Sequence, residues 1–101
     1  MAKDNINPDH YKSETSLECI EAMELLFGFE AVLNFCVCNA WKYIWRWKNK
    51  NGVEDLEKAK WYIARARGYV GPEERESNEF LDRLSEYVIN EIRLNTKVGT
   101  T

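Results

Sequence analysis

From residue 15 onward, apolar residues recur three and four positions apart, and this spacing is interrupted at three places. The interruptions are Gly28, the pair Asn51-Gly52 and the stretch 68–72, which hold residue types that end helices. The alternation of apolar and polar residues that indicates strands is weak. The sequence therefore predicts an all-α fold, a small bundle of about four helices, and its 101 residues suit one domain.

The interruptions also set the predicted boundaries. Thr15-Ser16-Leu17-Glu18 has the form of a capping box with Thr15 at the N-cap, and Gly28 ends the helix that it opens. The predicted helices span about residues 16–27, 30–49, 53–70 and 74–94. We predict an extended N-terminal arm over residues 1–14, a helical domain over 15–95 and a flexible tail over 96–101.

The predicted core follows the apolar spacing within each helix. It comprises Val32, Phe35, Cys36, Ala40, Ile44 and Trp47 on the second helix, Leu56, Ala59 and Ile63 on the third, and Phe80, Leu84 and Tyr87 or Val88 on the fourth. The three cysteines, an odd number without a secretory signal, predict a reducing cytosol. Cys36 and Cys38 are expected in the core, and no apolar run is long enough to span a membrane.

The net charge of −3 hides a division within the chain. Residues 41–67 carry eight cations and three acids, a net charge of +5, whereas the rest of the chain carries −8. This division argues against general DNA binding, because the acidic remainder would repel a phosphate backbone, and it suits a small anion better. The other interpretation is that Lys and Arg simply form a solvated helix face.

A polar stripe on the predicted second helix is the strongest functional signal. Asn39, Lys42, Tyr43, Arg46 and Lys50 fall within roughly 100° of one another on a helix. Arg46 and Lys42 are suited to phosphate oxygens, Tyr43 to stacking on a base, and Asn39 to a base edge or a ribose hydroxyl. Alternatively, Asn39 caps a neighbouring backbone group and Tyr43 belongs to the core, with its hydroxyl at the rim.

The predicted third helix carries Asp55, Lys58 and Tyr62 on one face. If the second and third helices form an antiparallel hairpin, this face approaches the polar stripe. Asp55 then pairs with Lys42 or Arg46 and orients it. The alternative is an ordinary surface pair between Asp55 and Lys58, worth about 0.2–0.5 kcal/mol.

The predicted arm holds the chain's single histidine in the segment His10-Tyr11-Lys12. An extended segment with an imidazole, an aromatic ring and a cation is suited to closing over a ligand. The alternative is that Tyr11 packs on the bundle and the arm has no further role.

Several enzyme motifs are missing from the sequence. Neither the phosphate-binding loop Gly-x-x-x-x-Gly-Lys-Ser/Thr nor Gly-x-Gly-x-x-Gly occurs. A single histidine cannot form a histidine-rich metal centre, and His-Glu-x-x-His is missing. The sequence therefore gives little support for enzymatic activity, and we assign no catalytic residue, metal ligand or cofactor.

Four segments occur in an order that resembles a known family. They are Asn7-Pro8-Asp9-His10-Tyr11, Glu18-Cys19-Ile20, Asn39-Ala40-Trp41-Lys42-Tyr43-Ile44-Trp45-Arg46 and Asp55-Leu56-Glu57-Lys58-Ala59-Lys60-Trp61-Tyr62. The chain resembles, over residues 7–64, small phage-encoded proteins labelled as of unknown function or nucleotide kinase-like. That label comes from a similar segment in a longer coliphage nucleoside monophosphate kinase without a phosphate-binding loop. The resemblance implies phage origin, action in the host cytoplasm during infection, nucleotide binding and a homo-oligomer.

Three functions are consistent with these features. The first is a sponge that holds, without cleaving, a nucleotide signal of bacterial anti-phage defence, such as a cyclic oligonucleotide or a cyclic ADP-ribose derivative. This compares the chain, by size and chemistry, with small oligomeric phage proteins that counter CBASS and Thoeris. The second is a nucleoside monophosphate kinase-like enzyme, with Mg²⁺ held by Glu54 and Asp55. The third is an inhibitor that binds a host protein through Trp45 and Trp47.

We favour the first function, with nucleotide sites between subunits of a homo-oligomer. The predicted ligand-binding residues are His10, Tyr11, Lys12, Asn39, Lys42, Tyr43, Arg46, Lys50, Asp55, Lys58 and Tyr62.

Overall fold

The structure, a computed structural model, describes the backbone of residues 8–96 and the side chains of residues 18–96. Its helices are α1 (Pro8–Phe27), α2 (Phe29–Arg46), a short 3-10 helix (Trp47–Asn49), α3 (Val53–Arg67) and α4 (Arg75–Thr96). The backbone of residues 8–96 contains no strand. The all-α class and the four helices predicted from the sequence are therefore confirmed. The predicted tail, apart from Thr96 at the end of α4, lies outside the described residues.

The chain divides into two compact units, Met1–Val32 and Leu33–Thr101. The first unit holds α1 and the first residues of α2. The second holds the rest of α2, the 3-10 helix, α3 and α4, and it contains all the residues of the cation–tyrosine cluster described below.

The first helix begins earlier than the sequence pattern predicts. Residues 8–14 are helical, so the extended conformation predicted for this part of the arm is wrong. Proline is well suited to the first position of a helix, because its fixed φ matches the helix and its missing N–H would have no partner there. The capping box at Thr15 therefore lies inside α1 and does not begin it. Residues 1–7 and the side chains of His10, Tyr11 and Lys12 lie outside the described residues.

Two glycines with positive φ separate the first three helices. Gly28 has φ 91° and its amide donates to the Glu24 carbonyl at 3.0 Å, which confirms the predicted end of the first helix. Gly52 has φ 64° and ψ −134°, and its amide donates to the Trp47 carbonyl at 2.8 Å. This turn directs the chain from the 3-10 helix into α3.

Gly52→Ala is expected to lower the free energy of unfolding by about 1–2 kcal/mol, because an L-residue is strained at this φ and ψ. An added Cβ meets no atom within 4 Å, so the loss reflects backbone strain and not a clash. Urea denaturation measures the effect. Gly68→Ala is the control for backbone strain, since Gly68 has φ −67° and ψ −14°, a conformation that alanine adopts readily, although its added Cβ would lie 3.3 Å from the Arg65 carbonyl oxygen. Equal losses in the two variants would contradict the strain argument.

The core of the second unit lies between α2, α3 and α4. Its buried apolar residues are Cys36, Ala40, Trp47, Leu56, Ala59, Ile63, Ala66, Leu81, Leu84 and Val88. The Trp47 indole Nε1 donates to the Tyr87 hydroxyl at 3.1 Å, which satisfies the polar atom of this buried ring.

Some core predictions were wrong by one helical position. Leu81 is buried where Phe80 was predicted, and Phe80 is exposed. Phe35 and Cys38 are also exposed, whereas Cys36 is buried as predicted. The spacing of apolar residues predicts how often a helix turns a residue toward the core. It does not decide which of two neighbouring apolar residues is the buried one.

Candidate anion-binding site

Two tyrosines from different helices stack at the centre of the site. The rings of Tyr43 on α2 and Tyr62 on α3 have centroids 6.0 Å apart and planes 16° from parallel. This separation lies within the range of centroid distances of interacting aromatic pairs. Both side chains are half-buried. The face of α3 that carries Tyr62 therefore approaches the polar stripe of α2, as the sequence predicted.

Three cations surround the Tyr43 ring. The Lys42 Nζ and the Arg46 Cζ each lie 4.9 Å from the ring centroid, and the Lys58 Nζ lies at 5.5 Å. All three distances are within the range of a cation–π interaction. We call the group Lys42, Tyr43, Arg46, Asp55, Lys58 and Tyr62 the cation–tyrosine cluster.

A buried carboxylate orders one of these cations. Asp55, in the first turn of α3, has no exposed surface. Its Oδ2 accepts from Arg46 Nε at 3.3 Å and its Oδ1 accepts from Arg46 Nη2 at 3.4 Å. Asn51 donates to the same carboxylate from its backbone N and from Nδ2, each at 3.2 Å. Of the two partners predicted for Asp55, the structure selects Arg46.

The surroundings of Asp55 keep it ionised. Burial by itself raises the pKa of the Asp55 carboxyl, but the hydrogen bonds from Asn51 and Arg46 and the charge of Arg46 outweigh it and lower the pKa below the usual value of 3.8. The first turn of a helix also favours a negative charge. Asp55 is therefore a permanent counter-charge at neutral pH.

The stability that Asp55 contributes is expected to fall in acid. Because the pKa is lower in the folded state, the contribution is fully present above the unfolded pKa of about 3.9 and is lost as the pH falls through the folded value. The free energy of unfolding of the wild type, relative to Asp55→Asn, should therefore be constant above about pH 5 and shrink below about pH 4. Urea titrations at a series of pH values measure it. A difference that does not change down to the acid limit would contradict this assignment.

Asp55 accepts hydrogen bonds from only part of the Arg46 guanidinium. The donors are Nε and Nη2, which use two of the five N–H groups of the side chain. The Arg46 side chain is 32% exposed, so the remaining donors are near solvent. The cluster thus contains three cations and one buried carboxylate, and of these cations only Arg46 contacts that carboxylate. Such an excess of positive charge, held in place by contacts inside the protein, favours an anionic ligand.

Two predicted site residues make no contact with the cluster among the described residues. Lys50 is exposed and follows the end of α2 at Arg46, so the helical spacing that placed it on the stripe does not reach it. Asn39 is half-buried on α2. Among the contacts of residues 18–96, no hydrogen bond or ring contact joins either side chain to the cluster.

Three neighbours of the cluster were not predicted as site residues. Asn51 holds Asp55, and the sequence signal for this contact is an Asn-Gly turn followed by Asp at the fourth position. Phe35 meets the Tyr62 ring edge to face with centroids 6.1 Å apart, and Trp61 does so at 5.0 Å. Both rings were visible in the sequence only as apolar residues.

The geometry of Asp55 also bears on the predicted magnesium site. Both carboxylate oxygens accept hydrogen bonds from Arg46 or Asn51, and the side chain is fully buried, so it does not face a metal ion in solvent. Within residues 18–96, no group of three or more His, Cys, Asp or Glu side chains is placed to hold a metal. In this conformation the oxygens of Asp55 are engaged by Arg46 and Asn51, and the magnesium site at Glu54 and Asp55 stays a prediction.

Fold and site together define a small all-α protein with a cation–tyrosine cluster ordered by a buried carboxylate. The chain belongs to the DUF3310 family, a family of proteins of unknown function, which matches residues 6–64. The match extends from α1 to Ala64 in α3 and includes the whole cluster, whereas α4 lies beyond it.

This match confirms the predicted resemblance as far as a family of unknown function, and the kinase-like label is not part of it. Neither the curated proteins nor the solved structures gave a match. None of the described helices is sufficiently long and apolar to cross a membrane.

Proposed function

We propose that this protein binds a nucleotide and holds it without cleaving it, removing a signal of bacterial anti-phage defence from the host cytoplasm. The observation that carries the proposal is the set of three cations gathered on the stacked tyrosines with one buried carboxylate among them. The ligand class is a cyclic oligonucleotide or a cyclic ADP-ribose derivative, bound by a homo-oligomer.

The cations account for the phosphate part of such a ligand. Lys42 is exposed and Lys58 is half-buried, so both ammonium groups can turn toward a phosphate with little change of backbone. Arg46 offers the guanidinium donors that Asp55 leaves, and its position is already set by the ion pair. A pre-positioned donor loses less side-chain entropy on binding than a free one does.

The aromatic rings account for the base. The Tyr43 and Tyr62 rings are nearly parallel, and Trp61, which is 42% exposed, contacts the Tyr62 ring. Stacking of a base on an aromatic side chain is worth about 1–3 kcal/mol. An exposed ring next to three cations thus matches the combination of flat base and charged phosphate.

The role of Asp55 supports holding over turnover. Within the cluster it is the single carboxylate, and its oxygens are engaged in positioning Arg46. Asn39 and Lys50 complete the proposal as contacts at the edge of the ligand.

Release of a bound compound by heat tests the proposal. Purified protein is soaked separately with cyclic di- and trinucleotides, with cyclic ADP-ribose isomers, and with nucleoside monophosphates plus ATP and magnesium. It is then desalted and heat-denatured, and the released compounds are identified by mass spectrometry. One intact compound at a near-stoichiometric amount supports sequestration. ADP with a phosphorylated monophosphate establishes a kinase, and retention of nothing overturns nucleotide binding.

A further inference from the structure

Large apolar side chains are exposed where α1 meets α2. Leu25, Leu26, Phe27 and Phe29 are 89%, 74%, 67% and 64% exposed. We call these four residues the leucine–phenylalanine patch. Soluble monomers rarely expose a contiguous group of large apolar residues, and such groups mark interaction surfaces.

A second exposed apolar surface lies on α2, in the other compact unit. Cys38, Trp41 and Trp45 are spaced three and four residues apart, so they lie on one side of the helix. The Trp41 and Trp45 rings have centroids 6.1 Å apart, and Trp45 is 77% exposed. We call these three residues the tryptophan stripe. Exposed tryptophans are among the residues most enriched in interface hot spots.

The charges near the two surfaces are opposite. Residues 18–32, which contain the leucine–phenylalanine patch, carry four glutamates and no cation. Residues 33–67, which contain the tryptophan stripe, carry eight cations and three acids. A patch facing a patch, or a stripe facing a stripe, would bring like charges together, whereas a patch facing a stripe brings opposite charges together.

We propose that the leucine–phenylalanine patch of one copy of this chain packs against the tryptophan stripe of a second copy. The apolar rings and leucines form the centre of the interface, and the glutamates of one copy face lysines of the other at its rim. This pairing deepens the proposed function, which includes a homo-oligomer, by naming the two surfaces through which the copies assemble, and it holds whether or not the cluster binds a nucleotide.

The cysteines of the chain provide a direct test. Cys19 is exposed on α1 on the same side as Leu26, seven residues later, and Cys38 is exposed on the tryptophan stripe. A short bifunctional maleimide should give a covalent dimer from the wild type. Neither Cys19→Ser nor Cys38→Ser should give it, because the proposed link joins Cys19 of one copy to Cys38 of the other. A dimer that persists in either variant would show pairing of like surfaces and overturn the proposal.

Sedimentation velocity at several protein concentrations tests the same interface without cross-linking. Leu26→Ser and Trp45→Ser should each raise the dissociation constant about tenfold or more, while Leu94→Ser, at an exposed apolar position on α4, should leave it unchanged. Higher salt should weaken association, because the rim charges are screened. A chain that stays monomeric throughout, or a monomer that binds neutral phosphatidylcholine vesicles through Leu26, would overturn the proposal.

Discussion

Arg46→Ala is expected to lower the free energy of unfolding by about 3 kcal/mol, because it leaves the Asp55 carboxylate buried without its opposite charge. Asp55 has no exposed surface, so in the wild type its charge is balanced by the guanidinium and by hydrogen bonds and not by bulk water. The two hydrogen bonds from Asn51 remain and limit the loss. Urea denaturation at neutral pH measures the change.

Truncation of the other partner, Asp55→Ala, should lower the free energy of unfolding by less. It leaves a guanidinium that is already about one-third exposed and can be hydrated. Arg67→Ala is the matched control. Arg67 pairs with Asp82 at 2.8 Å, but their side chains are 39% and 63% exposed, so the loss should be below about 1 kcal/mol. A loss for Arg46→Ala as small as that of the control would show that Asp55 is not an effectively buried charge.

The sequence predicted the helices well because their ends are chemically marked. Gly28 and Gly52 adopt positive φ, which few other residues tolerate, and the predicted helix boundaries lie at these glycines. The start of α1 could not be predicted in the same way. Pro8 is compatible both with an extended arm and with the first turn of a helix, and local pattern does not distinguish the two.

The members of the candidate site were easier to predict than their contacts. Helical spacing placed Lys42, Tyr43 and Arg46 together, and each of them lies in the cluster. Spacing could not decide whether Asp55 would pair with Lys42 or with Arg46, because that choice depends on the turn that follows the 3-10 helix. The same turn brings Asn51 to the carboxylate, a contact with no periodic signal.

Lys50 shows the limit of extending one period through a helix end. The α-helical rotation of about 100° per residue holds only to the end of α2. The 3-10 helix at Trp47–Asn49 turns by about 120° per residue, and Lys50 follows it in a non-helical conformation with φ −127° and ψ −101°. Lys50 therefore does not lie on the polar stripe, because the helical rotation used to place it ends at Arg46.

The double variant Lys42→Ala/Lys58→Ala is expected to weaken binding of a phosphate-bearing nucleotide about 100-fold, the equivalent of about 3 kcal/mol. It removes two of the three cations around Tyr43 and leaves the ion pair of Arg46 with Asp55 in place. Arg46→Ala is the poorer binding test, since it also removes the partner of a buried carboxylate and lowers stability. Isothermal titration calorimetry measures the affinity for the compound that the heat-release experiment identifies.

Lys48→Ala/Lys60→Ala is the matched control for this loss. It changes the net charge by the same amount at two exposed positions, one in the 3-10 helix and one on α3, and neither lysine contacts the Tyr43 ring among the described residues. Affinity should therefore fall by no more than a few-fold, through the weaker long-range field alone. Equal losses in the two double variants would show that general positive charge attracts the ligand and that the cation–tyrosine cluster is not its site. A large loss confined to Lys42→Ala/Lys58→Ala would locate the phosphate beside Tyr43.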